Sequence, residues 1–214
     1  KRESGDDSGA ISDYSKAIEI NPRYADAYSN RGNLKRESGD DSGAISDYSK
    51  AIALEQDNPK SATYKNRGLV KLSLSKFLDA KKDFQKASSI DPQKPELNYL
   101  IGTSNYQLEK HEESIVNFSD ALTLDPNNHI YLHDRCSSKY KIGKYNSALK
   151  DCNLALKINP NEGLIYNSRG EVRYALGDKK GACSDYKNAV KHGYEQRDNY
   201  LKSEDGKWCK NIFN

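Results

Sequence analysis

Residues 1–18, Lys-Arg-Glu-Ser-Gly-Asp-Asp-Ser-Gly-Ala-Ile-Ser-Asp-Tyr-Ser-Lys-Ala-Ile, recur without a change at 35–52, an offset of 34 residues, and weaker copies of the pattern continue almost to the C-terminus. A period of that length, with glycine, alanine, aromatic and proline columns, is the signature of a helical repeat array rather than of one closed core. The chain of 214 residues therefore holds about six units, each stacked on its neighbours. Apolar residues make up 35% and charged residues 30%, a balance that suits thin helices burying one stripe each.

Each unit reads as two helices. In 61–94 the segment Ala62–Leu74 carries Tyr64, Gly68, Leu69 and Leu72 at helical spacing, and Phe77–Ser89 carries Phe77, Ala80, Phe84 and Ala87, with Ile90 just beyond. Asp91-Pro92 ends the second helix, because proline drives the preceding residue out of helical geometry and cannot donate to the ladder. Asn21-Pro22, Asn58-Pro59, Asp125-Pro126 and Asn159-Pro160 repeat that punctuation, and Gly39, Gly143 and Gly177 mark turns between paired helices. The small columns Gly32, Gly68, Gly102, Gly170 and Ala44, Ala80, Ala148, Ala182 remove bulk where two helices cross, and Tyr14, Tyr48, Phe84, Phe118 and Tyr186 fill the remaining space. Two extra residues around Glu55–Asn58 lengthen one turn between units.

The combination Tyr28-x-x-Arg31-Gly32, Ala44-x-x-x-Tyr48, Ala51 and Pro59, recurring as Tyr64-x-x-Arg67-Gly68, Ala80-x-x-x-Phe84, Ala87 and Pro92, resembles the tetratricopeptide repeat over residues 1 to about 194. Tyr-x-Asn-Arg-Gly at 28–32 and 64–68, with Gly-Ala-x-Ser-Asp-Tyr at 43–48 and 181–186, is similar to bacterial and especially cyanobacterial members. The resemblance implies an all-α, right-handed superhelical solenoid of helix-turn-helix repeats: a partial repeat 1–24, then 25–60, 61–94, 95–128, 129–162 and 163–196, with 197–214 as a capping segment. Two departures stand out. Arg31, Arg67, Arg135 and Arg169 occupy the family's leucine column, and Lys35, Lys71, Asn105, Lys139 and Arg173 its tyrosine column, which leaves the detail of helix-pair packing open. Past Val190 the pattern breaks, and Tyr200, Leu201, Trp208, Ile212 and Phe213 form an apolar set that covers the last unit or docks on another chain.

The resemblance also implies a concave groove lined by the first helices, a surface that in this family binds peptides or partner helices. Here it would carry Asn30, Asn33, Lys65, Asn66, Leu69, Leu72, Tyr99, Thr103, Tyr106, His133, Tyr140, Asn167, Glu171 and Tyr174. Tyr106, Tyr140 and Tyr174 are spaced by 34 and 34, so either a ladder of rings faces the groove or these tyrosines turn inward to replace the missing family tyrosine. The carboxylate clamp of chaperone-binding members would fall on Ser29, Asn33, Asn66, Glu96 and Leu100, where its cations are absent, so that ligand is not expected.

Other chemistries find little support. Basic residues number 17 against 16 acidic in 1–107 and 17 against 15 in 108–214, and the signs interleave, so no phosphate-tracking surface for nucleic acid is expected. Apolar runs are too short for a membrane helix. His129 and His133, four apart, with Glu171 as a third candidate, are the nearest approach to a metal set, and neither metal nor cofactor is expected. No catalytic constellation is present, so the expected function is a non-catalytic scaffold for a protein or peptide partner. The alternatives are self-association through the repeat ends, or a docking arm of an enzyme whose catalytic domain lies elsewhere. The chain opens in mid-repeat, which suggests a fragment of something longer. Cys136, Cys152, Cys183 and Cys209 lack C-x-x-C spacing and are read as unpaired thiols in a reducing, cytoplasmic setting, with Cys136 and Cys152 facing the same core without being bonded.

Overall fold

The proline and glycine punctuation cuts residues 7–191 into helices of 13 or 14 residues, too short to be stable alone and long enough to bury one face. The computed structural model describes residues 7–55 and 57–211. Among them the α-helices are α1 Asp7–Ile20, α2 Ala25–Glu37, α3 Asp41–Leu54, α4 Ser61–Ser73, α5 Phe77–Ile90, α6 Pro95–Gln107, α7 His111–Leu124, α8 His129–Lys141, α9 Tyr145–Ile158, α10 Gly163–Ala175, α11 Lys179–Lys191, α12 Glu195–Lys202 and α13 Lys207–Asn211. No strand occurs among the described residues. The helices fall into two compact units, Lys1–Leu108 with α1–α6 and Glu109–Asn214 with α7–α13.

Local chemistry sets the ends. Asp40 and Asp178 accept hydrogen bonds from the backbone N–H of Gly43 (2.9 Å) and Gly181 (2.8 Å), satisfying first-turn donors. Gly39, Gly143 and Gly177 take φ of +82°, +75° and +83° in the tight turns within pairs, where a side chain is disfavoured. Ser75 holds the same conformation in the α4/α5 turn at φ +58°. α3 ends at Leu54 and α4 begins at Ser61, and the expansion read around 55–58 falls between them in sequence, with residue 56 outside the described residues.

The columns meet as the spacing predicts. Ala44, Ala80, Ala148 and Ala182 are fully buried, as are Tyr48 and Phe84. A Cβ on Gly32, Gly68 or Gly170 would stand 3.0, 2.6 or 2.5 Å from a ring atom of Tyr48, Phe84 or Tyr186 respectively, so ring and glycine share one space. The α8/α9 pair solves the same crossing differently. Cys136 in the glycine column and Cys152 in the aromatic column form a disulfide, with Cα atoms 5.7 Å apart, inside a cluster with Ala148 and Val172. A second disulfide, Cys183–Cys209, ties α11 to α13 with Cα atoms 5.3 Å apart. The expectation of four unpaired thiols is thereby corrected. Facing columns of a helix pair lie within the 4.4–6.8 Å that a disulfide spans, and the tail returns to α11, two relations that linear spacing does not express.

The arginine and lysine departures have a common purpose. Arg31 donates through Nε and Nη2 to both oxygens of Asp47 at 2.8 Å, and Lys35 reaches the same carboxylate at 2.9 Å. The third arm of Arg31, Nη1, donates to Ser15 of the preceding second helix at 3.0 Å, so one side chain joins three helices. The unit recurs as Arg67 and Lys71 on Asp83 with Ser49, Arg135 and Lys139 on Asp151 with Ser119, and Arg169 and Arg173 on Asp185 with Asn153. These aspartates are buried, and the bidentate fork compensates the cost of removing them from water. Burial raises the Asp47 carboxyl, but bonds from Arg31 and Lys35 outweigh it and hold the group below its ordinary value. On α6 the two cationic columns carry Ile101 and Asn105 instead, and Ile101 packs with Ala80 and Phe84.

Candidate functional site

In the unit Lys1–Leu108, α2, α4 and α6 are the first helices of their pairs, and side chains connect them in sequence. Asn33 Oδ1 accepts from the Tyr48 hydroxyl at 2.9 Å and from Asn66 Nδ2 at 2.9 Å, which joins α2 to α4. Lys65 Nζ bonds Glu96 at 2.9 Å, which joins α4 to α6. Leu69 and Leu72 are half-buried and pack with Leu100 against Ala80, Phe84 and Ile101. Tyr99, Thr103 and Tyr106 on α6 are half-buried, the Thr103 hydroxyl donating to the Tyr99 carbonyl at 3.0 Å, and Asn30 on α2 is exposed. The strip is thus amphipathic, with amides, one cation–carboxylate pair, leucines and tyrosines. It offers donors, acceptors and apolar contact without a dominant charge.

In the unit Glu109–Asn214, α8, α10 and α12 are linked in the same manner. His133 lies 2.9 Å from Asp134 through Nδ1 and 2.9 Å from Ser168 through Nε2, bridging α8 and α10. Arg197 of α12 reaches Asn167 at 2.5 Å and Glu171 at 2.8 Å on α10, and its guanidinium stacks over Tyr186 (4.1 Å) and Tyr200 (4.8 Å). Asn167 is buried by this contact and Glu171 half-buried. Tyr140 packs on the Cys136–Cys152 cluster with Tyr145 at 5.6 Å, and burial raises its phenol above the ordinary value. Tyr174, 34 residues on, is exposed and lies 5.1 Å from the Trp208 ring. The two tyrosines of this unit that share a register therefore have different neighbours, one in the pair core and one against the tail.

His129 contacts Asn159 at 3.2 Å, and no group of three His, Cys, Asp or Glu side chains placed to hold a metal occurs among the described residues. No described helix is long and apolar enough to cross a membrane. Sequence reading missed Arg197, Ser168 and the buried aspartates Asp47, Asp83, Asp151 and Asp185. The aspartates had a signal in the recurring Ser-Asp-Tyr at 46–48 and 184–186, whereas Arg197 lies beyond the repeats.

The TPR repeat pattern matches residues 1–35, and the Tetratricopeptide repeat pattern matches 25–58 and 95–128. No curated protein matches the sequence as a relative. Among solved structures, the chain is similar to YrrB, described as a TPR protein with an unusual peptide-binding site, with a TM-score of 0.72 at 22% identity over 84% of this chain and 92% of that one. It is also similar to MamA, with a TM-score of 0.73 at 21% identity over 84% and 96%, and to the C-terminal part of a TPR repeat-containing protein from Cytophaga hutchinsonii, with a TM-score of 0.76 at 16% identity over 92% and 78%. Column pattern, paired helices and these matches agree: residues 1–58 and 95–128 match tetratricopeptide repeats, and the fold is that of a tetratricopeptide-type helical solenoid.

Proposed function

We propose that the chain is a non-catalytic protein–protein interaction scaffold that holds a peptide or helix of a partner protein along its first-helix faces. The observation that carries this reading is the continuity of α2, α4 and α6: Asn33–Asn66 and Lys65–Glu96 join them into one strip on which Leu69, Leu72, Tyr99 and Thr103 stay half-exposed. Half-exposed leucine and tyrosine beside satisfied amides is the composition of a surface that gains by covering apolar area and still positions a backbone. The likeness to YrrB, whose description names a peptide-binding site, supports it. Repeat scaffolds of this family act generally by binding proteins.

A photo-cross-linking amino acid at Thr103, compared with the same group at exposed Leu78 on the second helix α5, tests the reading in cells producing the protein. The expected result is a discrete protein adduct from position 103 and none from 78. Equal labelling at both positions, or adducts from 78 alone, moves binding off the first-helix face.

A further inference from the structure

Helix α12 is anchored unlike the helices of the repeats before it. None of its residues is buried, whereas each of α2 to α11 buries three or more. Its anchor is Arg197, whose Nε donates to Asn167 at 2.5 Å and whose Nη2 donates to Glu171 at 2.8 Å, with the guanidinium over the rings of Tyr186 and Tyr200. The receiving groups on α10 and α11 are set by that pair itself. Asn167 Nδ2 donates to Glu171 one turn along at 3.4 Å, which leaves the Asn167 oxygen as the second acceptor. The Tyr186 ring is fixed against Gly170, where a Cβ would stand 2.5 Å from it. An acid at 171 is no demand of the helix pair: the matching positions hold Asn33, Leu69, Thr103 and Ser137, and the buried Asp185 already has Arg169 and Arg173. Two acceptors one turn apart beside an aromatic face match the flat edge and the face of a guanidinium, and a lysine ammonium, a point charge, fits only one of them.

We propose that Asn167, Glu171 and Tyr186 form an arginine-binding site for a partner peptide, and that α12 occupies it as an intramolecular ligand through Arg197. A partner segment presenting an arginine competes with Arg197 for the same two acceptors and the same ring. The competition is adjustable because α12 is held at both ends, by the short connection from α11 at 192–194 and by Cys183–Cys209 beyond it, and each tether raises the effective concentration of Arg197 at the site. With no buried face of its own, α12 opposes displacement mainly through that concentration and the Arg197 contacts. The site belongs to the unit Glu109–Asn214 and stands independently of the strip on α2, α4 and α6, so either can fail without the other.

The probe is the blocked, fluorescently labelled peptide Glu-Gln-Arg-Asp-Asn-Tyr-Leu-Lys, the sequence of residues 195–202, and its binding to the full chain is read by anisotropy. Wild type should bind it weakest; Cys209→Ser, which opens one tether, should gain at least about threefold, and Arg197→Ala, which vacates the site, at least about tenfold. On Arg197→Ala, a probe carrying Arg197→Lys, or Glu171→Gln added to the chain, should each cost at least about tenfold. Should Arg197→Ala lose helicity by circular dichroism, the two probes are compared on Cys209→Ser with the same expectation. The inference is overturned if the octapeptide binds neither variant, or if the lysine probe or the Glu171→Gln chain binds equally well. It is also overturned if Arg197→Ala gains while Cys209→Ser does not, which would make α12 a fixed cover rather than a competitor.

Discussion

Helix pairs α4/α5 and α8/α9 cross with the same two columns face to face and fill the crossing by different means. In α4/α5 the Phe84 ring lies where a Cβ on Gly68 would stand 2.6 Å from it, and in α8/α9 the Cys136–Cys152 disulfide takes that place. The lesson is that the helix hairpin requires a shared volume, not a particular residue. A large ring with no side chain opposite and two small side chains joined together meet the same demand, and Ala80 and Ala148 beside them are fully buried in both. What differs is the origin of the stabilisation. The ring contributes buried apolar area and dispersion in the native state, whereas the bond acts largely by restricting the unfolded chain.

The most damaging way to probe the comparison is to empty the ring's place. Phe84→Ala should cost about 3–5 kcal/mol, because Gly68 has no side chain with which to collapse into the cavity. Urea denaturation followed by circular dichroism measures this, and a loss below about 1 kcal/mol would mean that the crossing does not depend on its filler. Reducing Cys136–Cys152 in the wild-type protein should cost about 3 kcal/mol, the loop-closure value for a separation of 16 residues. Hydrogen exchange with and without reductant should show the effect in α8/α9 and in the α11–α13 region held by Cys183–Cys209, while α2–α5 stay unchanged. Uniform loss across the chain would show that the bonds act through global folding instead.

The reading of the sequence reached as far as the 34-residue period reaches. In 61–94 the recurrence placed the helices at 62–74 and 77–89, within a residue of α4 and α5, because proline, glycine and alanine act locally or at a fixed repeat distance. It also put Cys136 and Cys152 in columns that face one core. It did not join them, since bonding depends on a distance between two helices. The Tyr140 and Tyr174 pair shows the same limit: the period fixes backbone position, but Tyr140 meets the disulfide cluster and Tyr174 meets Trp208 from the tail. Cys209 and Arg197 lie beyond the last full repeat, where no column predicts a partner, and Ile212 and Phe213 lie outside the described residues. The arginine column was seen as a departure from the family. Its reason emerged only when Asp47, Asp83, Asp151 and Asp185 were found beneath the guanidinium groups.

If the two fillers are equivalent solutions, they should be exchangeable. Cys136→Gly with Cys152→Phe writes the α4/α5 solution into α8/α9, and its stability should fall within about 1.5 kcal/mol of the oxidised wild type, the tolerance of volume-conserving core changes. Its α8/α9 pair should no longer respond to reductant. Retention of reductant sensitivity there would place the effect in Cys183–Cys209 alone, and a collapse of the pair would mean that neighbours such as Tyr140 have been shaped to the disulfide.

The smallest effect distinguishes two rings rather than a ring and a bond. Tyr48 occupies the place in α2/α3 that Phe84 occupies in α4/α5, with a hydroxyl that reaches Asn33, and burial pushes its phenol up to about 12. A phenol whose folded value is raised keeps its proton in the native state while the unfolded chain loses it from about pH 10 upward. Its contribution is therefore complete below pH 10 and is lost between pH 10 and about 12, at up to about 1.4 kcal/mol per pH unit. Tyr48→Phe should cost about 1 kcal/mol at pH 7 for the lost hydrogen bond and then fall less steeply than wild type above pH 10, so the two stability curves converge. Parallel curves from pH 9 to 11 would show that the Tyr48 hydroxyl gains water access in the native protein, and that the crossing tolerates a charged ring as readily as an apolar one.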